Sequence, residues 1–320
     1  MKIIITGASG FIGTNLLQYF IEKKYEVLNI DKAVPQNKEH LSHWVNIDII
    51  EYDKLENAVL PFSPEYIIHL AARTDLDGKD MEDYSANTIG VANILQVAGL
   101  CPNLKKIIIA SSMLVCHAGY YPKNQFDYTP KTLYGESKVI TEKEVWKNPP
   151  ACDWAIIRPT SIWGEWFRIP YRSFFDMVIA GRYFHIGHHS CTKTYGYIGN
   201  AIYQIESILF ADTLDINNKI FYIGDSPAIN IEDWANEIAG EIHTRIIRIP
   251  FFLILLAAFS GDILNFVGIK FPIYSFRLKN MTTDNIIDLE KTYQIAPFLP
   301  FKRIEGVQRT IKWIGNSTYR

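Results

Sequence analysis

Residues 2–13 read KIIITGASGFIG. Three isoleucines and a threonine make a short apolar strand, and Gly7 allows the tight turn that ends it. Gly10 lets the backbone come close to a bound pyrophosphate. Gly13 lets the following helix lie against the strand, with its amino terminus facing the phosphates. The spacing is G-x-x-G-x-x-G. A glycine triplet is informative only between a strand and a helix, and this one follows the strand at 2–6 and precedes helical spacing at Phe11, Leu16, Leu17 and Phe20.

The same alternation continues outward to about residue 160. Strands are expected at 25–30, 44–47, 66–70, 106–110 and 154–158, and helices at 11–23, 53–59, 81–99 and 132–147. Strands of unbroken Ile, Val and Leu are buried on both faces, as in a parallel sheet under two layers of helices. The expected fold is therefore α/β, a doubly wound Rossmann-type parallel sheet. After Pro159 the rhythm breaks. A helix at 200–211, a strand at 219–223 and a helix at 231–239 follow, then helical pieces interrupted by Pro250, Pro272, Pro297 and Pro300. Residues 1–163, with 195–224 returning to them, are expected to form the dinucleotide domain. Residues 164–194 and 225–320 are expected to form a smaller, mainly helical substrate lobe.

The 320 residues carry 32 Lys and Arg against 34 Asp and Glu, so no basic surplus points to nucleic acid. Cys101, Cys116, Cys152 and Cys191 include no C-x-x-C pair and read as free thiols. His185, His188, His189 and Cys191 have ligand chemistry, but no second cluster accompanies them, and no metal is expected. The amino terminus reads as a buried strand rather than a signal peptide. The run IPFFLILLAAF at 249–259 is too short to span a bilayer, which takes about 20 residues. It is expected to be a buried helix of the second lobe, with a membrane-surface helix as the alternative.

Asp31 closes the second strand, eighteen residues after Gly13. A carboxylate there accepts from the ribose hydroxyls and repels a 2′-phosphate, which favours NAD over NADP. Lys32 follows and softens the repulsion. Asp48 and Ile49 lie past the third strand, where an adenine edge would rest, and Asp48 as a plain helix cap is the competing reading. Tyr134 and Lys138 form Y-x-x-x-K, one helical face. A phenol near pKa ~10 needs a neighbouring ammonium to act as a base at neutral pH. Ser111 and Ser112 end the fifth strand at the carboxyl edge of the sheet, where a hydroxyl can hold a reacting oxygen.

The motifs TGASGFIG (6–13), HLAA (69–72), Asn87-x-x-Gly90-x-x-Asn93, SSMLVCHAG (111–119), YGESK (134–138) and RPTSIWG (158–164) resemble the extended short-chain dehydrogenase/reductase superfamily, in its NAD-dependent epimerase/dehydratase branch. The resemblance is dense in the first half of the chain and thin in the second. It implies Ser112, Tyr134 and Lys138 as catalytic residues. It implies NAD contacts from Gly7, Gly10, Phe11, Ile12, Gly13, Asp31, Lys32, Asp48, Ile49, Leu70, Ala71, Ala72, Asn87, Ala110, Tyr134, Lys138, Pro159 and Ile162. Substrate contacts are implied for Arg73, Ser112, Met113, Ser161, Lys193 and Arg277. A cytoplasmic location, and a homodimer paired through the helices at 81–99 and 132–147, also follow from the resemblance.

Departures from the family pattern narrow the chemistry. Members that eliminate water or decarboxylate carry an acid after the catalytic hydroxyl, and those that epimerise by deprotonation carry a cysteine. Here Met113 and Leu114 follow, and neither moves a proton. That leaves hydride chemistry, as a 4-epimerase or as a one-way dehydrogenase or ketoreductase. The Arg-Asp pair and closing Asp of sugar-nucleotide members are replaced by Lys193, Thr194 and Asn200, and Ser161 stands where an Asn is usual. Arg168, Arg172, Arg182, Lys193 and Arg277 are the candidate diphosphate cations, with Lys193 and Arg277 placed by family position. A nucleotide sugar is the expected substrate. The alternative is a hydrophobic, steroid-like alcohol, because the 249–259 run and the tail MTTDNIIDLEKTYQIAPFLP are similar to those of sterol dehydrogenases of the same superfamily. A third reading is an NAD-binding regulatory protein without turnover.

Overall fold

The computed structural model describes residues 1–169, 171–269 and 271–317. The chain runs β1 (Lys2–Thr6), α1 (Phe11–Glu22), β2 (Glu26–Asp31), β3 (Trp44–Asn46), α2 (Tyr52–Phe62), β4 (Tyr66–His69), α3 (Ser85–Ala98), β5 (Lys106–Ala110), α4 (Leu133–Lys147) and β6 (Asp153–Pro159). It continues through β7 (Ser161–Trp163), α5 (Arg172–Ile179), β8 (Phe184–Ile186), β9 (Thr192–Lys193), β10 (Tyr195–Tyr197), α6 (Ile198–Phe210), α7 (Thr213–Ile216) and β11 (Lys219–Ile223). The rest is β12 (Ile229–Asn230), α8 (Ile231–Glu241), β13 (Ile247–Ile249), α9 (Phe251–Phe266), α10 (Ser275–Thr282), α11 (Glu290–Ile295) and α12 (Arg303–Ser317).

Seven strands form one sheet in the order β11-β6-β5-β4-β1-β2-β3, with every pairing parallel. Alternate side chains serve opposite faces, as the period of two requires. Ile3 and Ile5 join Leu16, Leu17 and Phe20 of α1 and Ile205, Ile208 and Leu209 of α6 in one core. Ile4 joins Val59 of α2, Val91 and Ile94 of α3, and Val145 of α4 in the other. The chain leaves β1 in one direction through β2 and β3, then returns to build outward from β4. This reversal between β1 and β4 is the switch point where ligands of open α/β sheets bind, at the carboxyl ends of the strands.

The helix expected from residue 81 starts at Ser85, because Glu82–Tyr84 makes a separate 3-10 turn. Tyr84 is buried there and donates to the Asp75 carbonyl at 2.9 Å. In the later part of the chain three small two-stranded sheets form: β10 with β7, β12 with β9, and β13 with β8.

One expectation needs correction. The run 249–259 is helical, within α9, but it is not a buried helix. Only Ile254, Ala258 and Gly261 of α9 are buried, against a small cluster with Ile186 and Leu278. Phe252, Leu253, Leu255, Leu256, Phe259, Ile263 and Phe266 are exposed. Apolarity shows that a segment resists water, but the cover must come from other elements, and here they cover one stripe only. No helix among the described residues is long and apolar enough to cross a membrane.

Candidate active site

The glycine loop is shaped by contacts no side chain would survive. Gly7 sits at φ +77, and a Cβ there would lie 2.5 Å from the Ala71 nitrogen. A Cβ on Gly13 would lie 2.4 Å from the Gly7 carbonyl oxygen. At Gly10 the nearest atom to a Cβ is that same carbonyl, at 3.2 Å. The loop therefore packs tightly at its two ends, while its middle glycine keeps its backbone approachable. Phe11 and Ile12 open α1 beside it, partly buried on the core. The neighbouring strand end contributes Leu70, Ala71 and Ala72. The Leu70 amide donates to the Thr6 carbonyl at 3.0 Å, and the Ala71 amide to the Thr6 hydroxyl at 3.3 Å.

Asp31 accepts from the Ser9 amide at 3.0 Å and the Ala33 amide at 2.8 Å. Its carboxyl sits above its usual range because of burial, which these two amides partly offset. Lys32 is drawn to Asp48, at 3.0 Å. The cation that would soften the repulsion by Asp31 is thus engaged by the carboxylate placed at the adenine edge. Ile49 packs under Gly90, where a Cβ would come within 2.4 Å of its Cδ1 atom. Asn93 donates to the carbonyls of Ile49 and Ile50 at 2.9 and 3.0 Å. The Asn-x-x-Gly-x-x-Asn spacing is therefore one face of α3 clasping the loop after β3. Asn87, on the preceding turn, holds the loop after β4 by accepting from the Arg73 amide at 2.8 Å and donating to its carbonyl at 3.0 Å.

Ser112, Tyr134 and Lys138 come together at the carboxyl end of β5. Thr132 caps α4 by accepting from the Gly135 amide at 3.0 Å, which fixes the turn that carries Tyr134. The Ser112 hydroxyl accepts from the Leu114 amide at 3.1 Å and lies close enough to the Tyr134 phenol to influence it. Lys138 is buried and donates to the Ala110 carbonyl at 2.8 Å. Burial raises the Tyr134 phenol well above its ordinary value, with Ser112 working against the shift. Burial lowers Lys138 to about 8, opposed by the carboxylate of Glu142. His69, buried beneath at 2.7 Å from the Thr6 hydroxyl, is pushed down to about 3 by burial and by Lys138. Burial thus works against charge at both groups, and a positive ring placed beside them would favour the phenolate.

One layer below lies a network that motif reading passed over. Glu142 follows Lys138 by one helical turn and is fully buried. It pairs with Arg158 through two bonds, at 2.8 and 2.7 Å. It also accepts from the Ser111 hydroxyl at 2.5 Å and from Tyr128 at 2.9 Å. Arg158 lies near the rings of Tyr128 and Tyr222 and donates to the Tyr222 hydroxyl at 2.9 Å. The network therefore links Ser111, next to Ser112, with the helix of Lys138. The signal was present as Glu142 at four residues from Lys138, but nothing local distinguished it from a solvated glutamate.

The remaining predicted residues scatter more widely. Met113 begins the short turn after Ser112, with Asn285 at 4.0 Å from its sulfur. Pro159 ends β6, and Ser161 and Ile162 lie in β7, paired with Tyr195 and Gly196 of β10. Arg73 is held by Asp75 and Asp83. Lys193 donates to the Asn280 carbonyl at 2.6 Å. Arg277 donates to the Pro272 carbonyl and lines a surface groove with Asp262, Asn265, Phe271, Pro272 and Tyr274, which holds none of Ser112, Tyr134 and Lys138. Arg168 is linked to the glycine loop, donating at 3.2 Å to Gln36, whose amide reaches the Ser9 carbonyl. Asn200 donates to the buried Asp225 at 3.1 Å, so a carboxylate does stand beside the position where the sequence lost one. Burial raises Asp225 to about 7, countered by the Tyr197 amide and by Asn200.

A sheet reversing at a glycine-rich turn, with a serine, tyrosine and lysine converging at its carboxyl edge, defines a dinucleotide-dependent short-chain oxidoreductase. Residues 3–189 match the model of the NAD dependent epimerase/dehydratase family, and the chain belongs to that family, with NAD as its cofactor. Along its whole length the chain is similar to the N-acetyl-alpha-D-glucosaminyl-diphospho-ditrans,octacis-undecaprenol 4-epimerase of Escherichia coli O157:H7, 26% identical over 98% of this chain and 95% of the relative. It is also similar to a 3-beta-hydroxysteroid dehydrogenase of Mycolicibacterium neoaurum, 26% identical over 85% and 79%. Its fold is that of the UDP-glucuronic acid 4-epimerase of Bacillus cereus, solved with UDP-glucuronic acid and NAD, with a TM-score of 0.75, 19% identity and coverage of 99% and 100%.

Proposed function

We propose that the protein is an NAD-dependent 4-epimerase of a sugar carried on a diphosphate, with a nucleotide sugar as the expected form. The observation that carries this reading is Ser112, Tyr134 and Lys138 converging at the end of β5, with Met113 as the next residue. Bound NAD supplies the hydride acceptor. Tyr134 takes the proton of the sugar hydroxyl as hydride leaves the same carbon. Ser112 donates to the oxygen as it becomes a ketone, and the Lys138 ammonium, one helical turn along α4, would favour the phenolate. With the cofactor bound, the ketone would turn over in the pocket and Tyr134 would return the proton to its oxygen as the other face is reduced, so no net oxidant would be consumed. Met113 offers no acid or base for elimination or for removal of a carbon-bound proton. Substrate contacts are assigned to Arg73, Met113, Ser161 and Lys193, and the substrate lobe to residues 164–194 and 225–320. The undecaprenyl-diphosphate relative and the UDP-sugar epimerases of the same fold support the reading, since the substrates in their names are alike in being sugars on a diphosphate.

The test is incubation with NAD and a panel of UDP-sugars in deuterium oxide, read by nuclear magnetic resonance. The reading expects a 4-epimer with no deuterium on carbon and no net NADH. Deuterium at a ring carbon would replace hydride transfer by deprotonation. A second reading, a one-way dehydrogenase of a hydrophobic alcohol, is favoured by the exposed apolar residues of α9 and by the hydroxysteroid relative. It predicts NADH accumulating in step with an apolar alcohol and no conversion of any sugar.

A further inference from the structure

Helix α9 is inverted relative to an ordinary surface helix. At about 100° per residue, Ile254, Ala258 and Gly261 form one narrow stripe, and this is the side that is buried. Opposite it, Phe252, Leu255, Leu256, Phe259, Ile263, Phe266 and Val267 share an arc of about 120°, all exposed. Phe252 is 61% exposed, Phe259 65% and Phe266 91%. Large aromatic side chains presented this way, along a helix about 24 Å long, form a continuous ridge rather than scattered surface residues.

The charge around this ridge indicates its occupant. Between Arg245 and Lys279 the chain has five basic residues, Arg245, Arg248, Lys270, Arg277 and Lys279, and one acid, Asp262. The chain as a whole has a formal net charge of −2. The single acid is engaged, since Asp262 accepts from the Ser275 amide at 3.1 Å. Arg248, just before the helix, is paired with Glu232, while Arg277 lines the groove beside Asp262 and Asn265 and Arg245 and Lys279 are exposed. An apolar helical face in a segment whose sequence carries more basic than acidic residues matches the boundary between acyl chains and anionic headgroups. A second copy of this chain would bring the same cations against themselves.

We propose that α9 docks this protein on the surface of an anionic phospholipid bilayer, lying in the interface without crossing it. The docked helix is joined to the site only along the chain. From α9 the chain passes into α10, then to Asp284 and Asn285. Asp284 accepts from the Thr192 amide at 2.7 Å, and Asn285 accepts from the Gly119 amide at 3.0 Å and reaches the Met113 sulfur. The inference goes beyond the epimerase reading and does not depend on it.

The test is co-sedimentation of the full chain, with NAD present, with vesicles of phosphatidylglycerol and phosphatidylethanolamine and with vesicles of phosphatidylcholine alone. The expected result is binding to the anionic vesicles that weakens with added salt. Replacing Phe252→Ser, Phe259→Ser and Phe266→Ser together should lower the partition by at least about tenfold. The same variant should keep the wild-type melting temperature and NAD affinity, since these side chains are exposed. Arg245→Glu with Lys279→Glu should weaken binding to the anionic vesicles and leave the fold intact. Wild type that stays in the supernatant with all vesicles, or a triple variant that binds like wild type, overturns the proposal. A dimer in ultracentrifugation that the triple variant dissociates, without vesicle binding by wild type, also overturns it and assigns the ridge to a second copy. Activity on a water-soluble sugar diphosphate, measured on the triple variant, reports on the epimerase reading separately.

Discussion

Two apolar runs in this chain meet opposite fates. Lys106–Ala110 reads KIIIA and forms a central strand in which every residue is buried, flanked by β4 and β6 and covered on both faces. Residues 249–259 are richer still in apolar side chains, yet most of the face they form is exposed. The strand is buried because its backbone hydrogen bonds come from neighbouring strands, so its partners are part of its existence. The helix satisfies its own backbone and can exist with one stripe covered. Hydrophobic content therefore predicts burial more safely for a strand than for a helix.

The largest expected effect lies in the buried region. Tyr134→Phe should lower turnover by about 10²–10⁴-fold with NAD titrations unchanged. Near-normal turnover would remove the acid/base assignment. Glu142→Ala should cost about 3–5 kcal/mol in chemical denaturation, because it leaves Arg158 charged and unpaired in the interior. If the loss is under about 1 kcal/mol, the network below Lys138 is not what holds that helix to β5. Ile108→Ala, in the strand, should cost about 2–5 kcal/mol. A smaller step is expected from Asp31→Ala, which should narrow the NAD-over-NADP preference by about tenfold, or about 1.4 kcal/mol. An unchanged ratio would assign Asp31 to holding Ser9 and Ala33 only. Smallest of all, Leu256→Ala on the exposed face should shift stability by no more than about 0.5 kcal/mol. A cost like that of Ile108→Ala would mean the helix is covered in solution and would break the contrast.

The candidate site was legible in proportion to how local its signals are. The glycine loop, Asp31, Ser112, Tyr134 and Lys138 stand at fixed offsets from strand ends, and the structure gathers them at one sheet edge. Glu142 and Arg158 were invisible as a pair, because they lie sixteen residues apart on different elements and only packing brings them together. Arg277 and Lys193 were chosen by family position in the sparsely matched half, and their side chains bond to nearby carbonyls of the later chain. Asp225 came from outside any motif to stand beside Asn200.

By itself the sequence determined the doubly wound sheet, the glycine turn and the tyrosine–lysine face. Each follows from a short-range rule: period two in strands, period 3.6 in helices, and glycine where a Cβ would strike backbone. Tertiary structure alone decided which charges are buried as pairs, which cations lie near the glycine loop, and which face of α9 is left bare. Those outcomes depend on contacts between residues far apart in the chain, and a linear pattern carries no information about what will be placed against it.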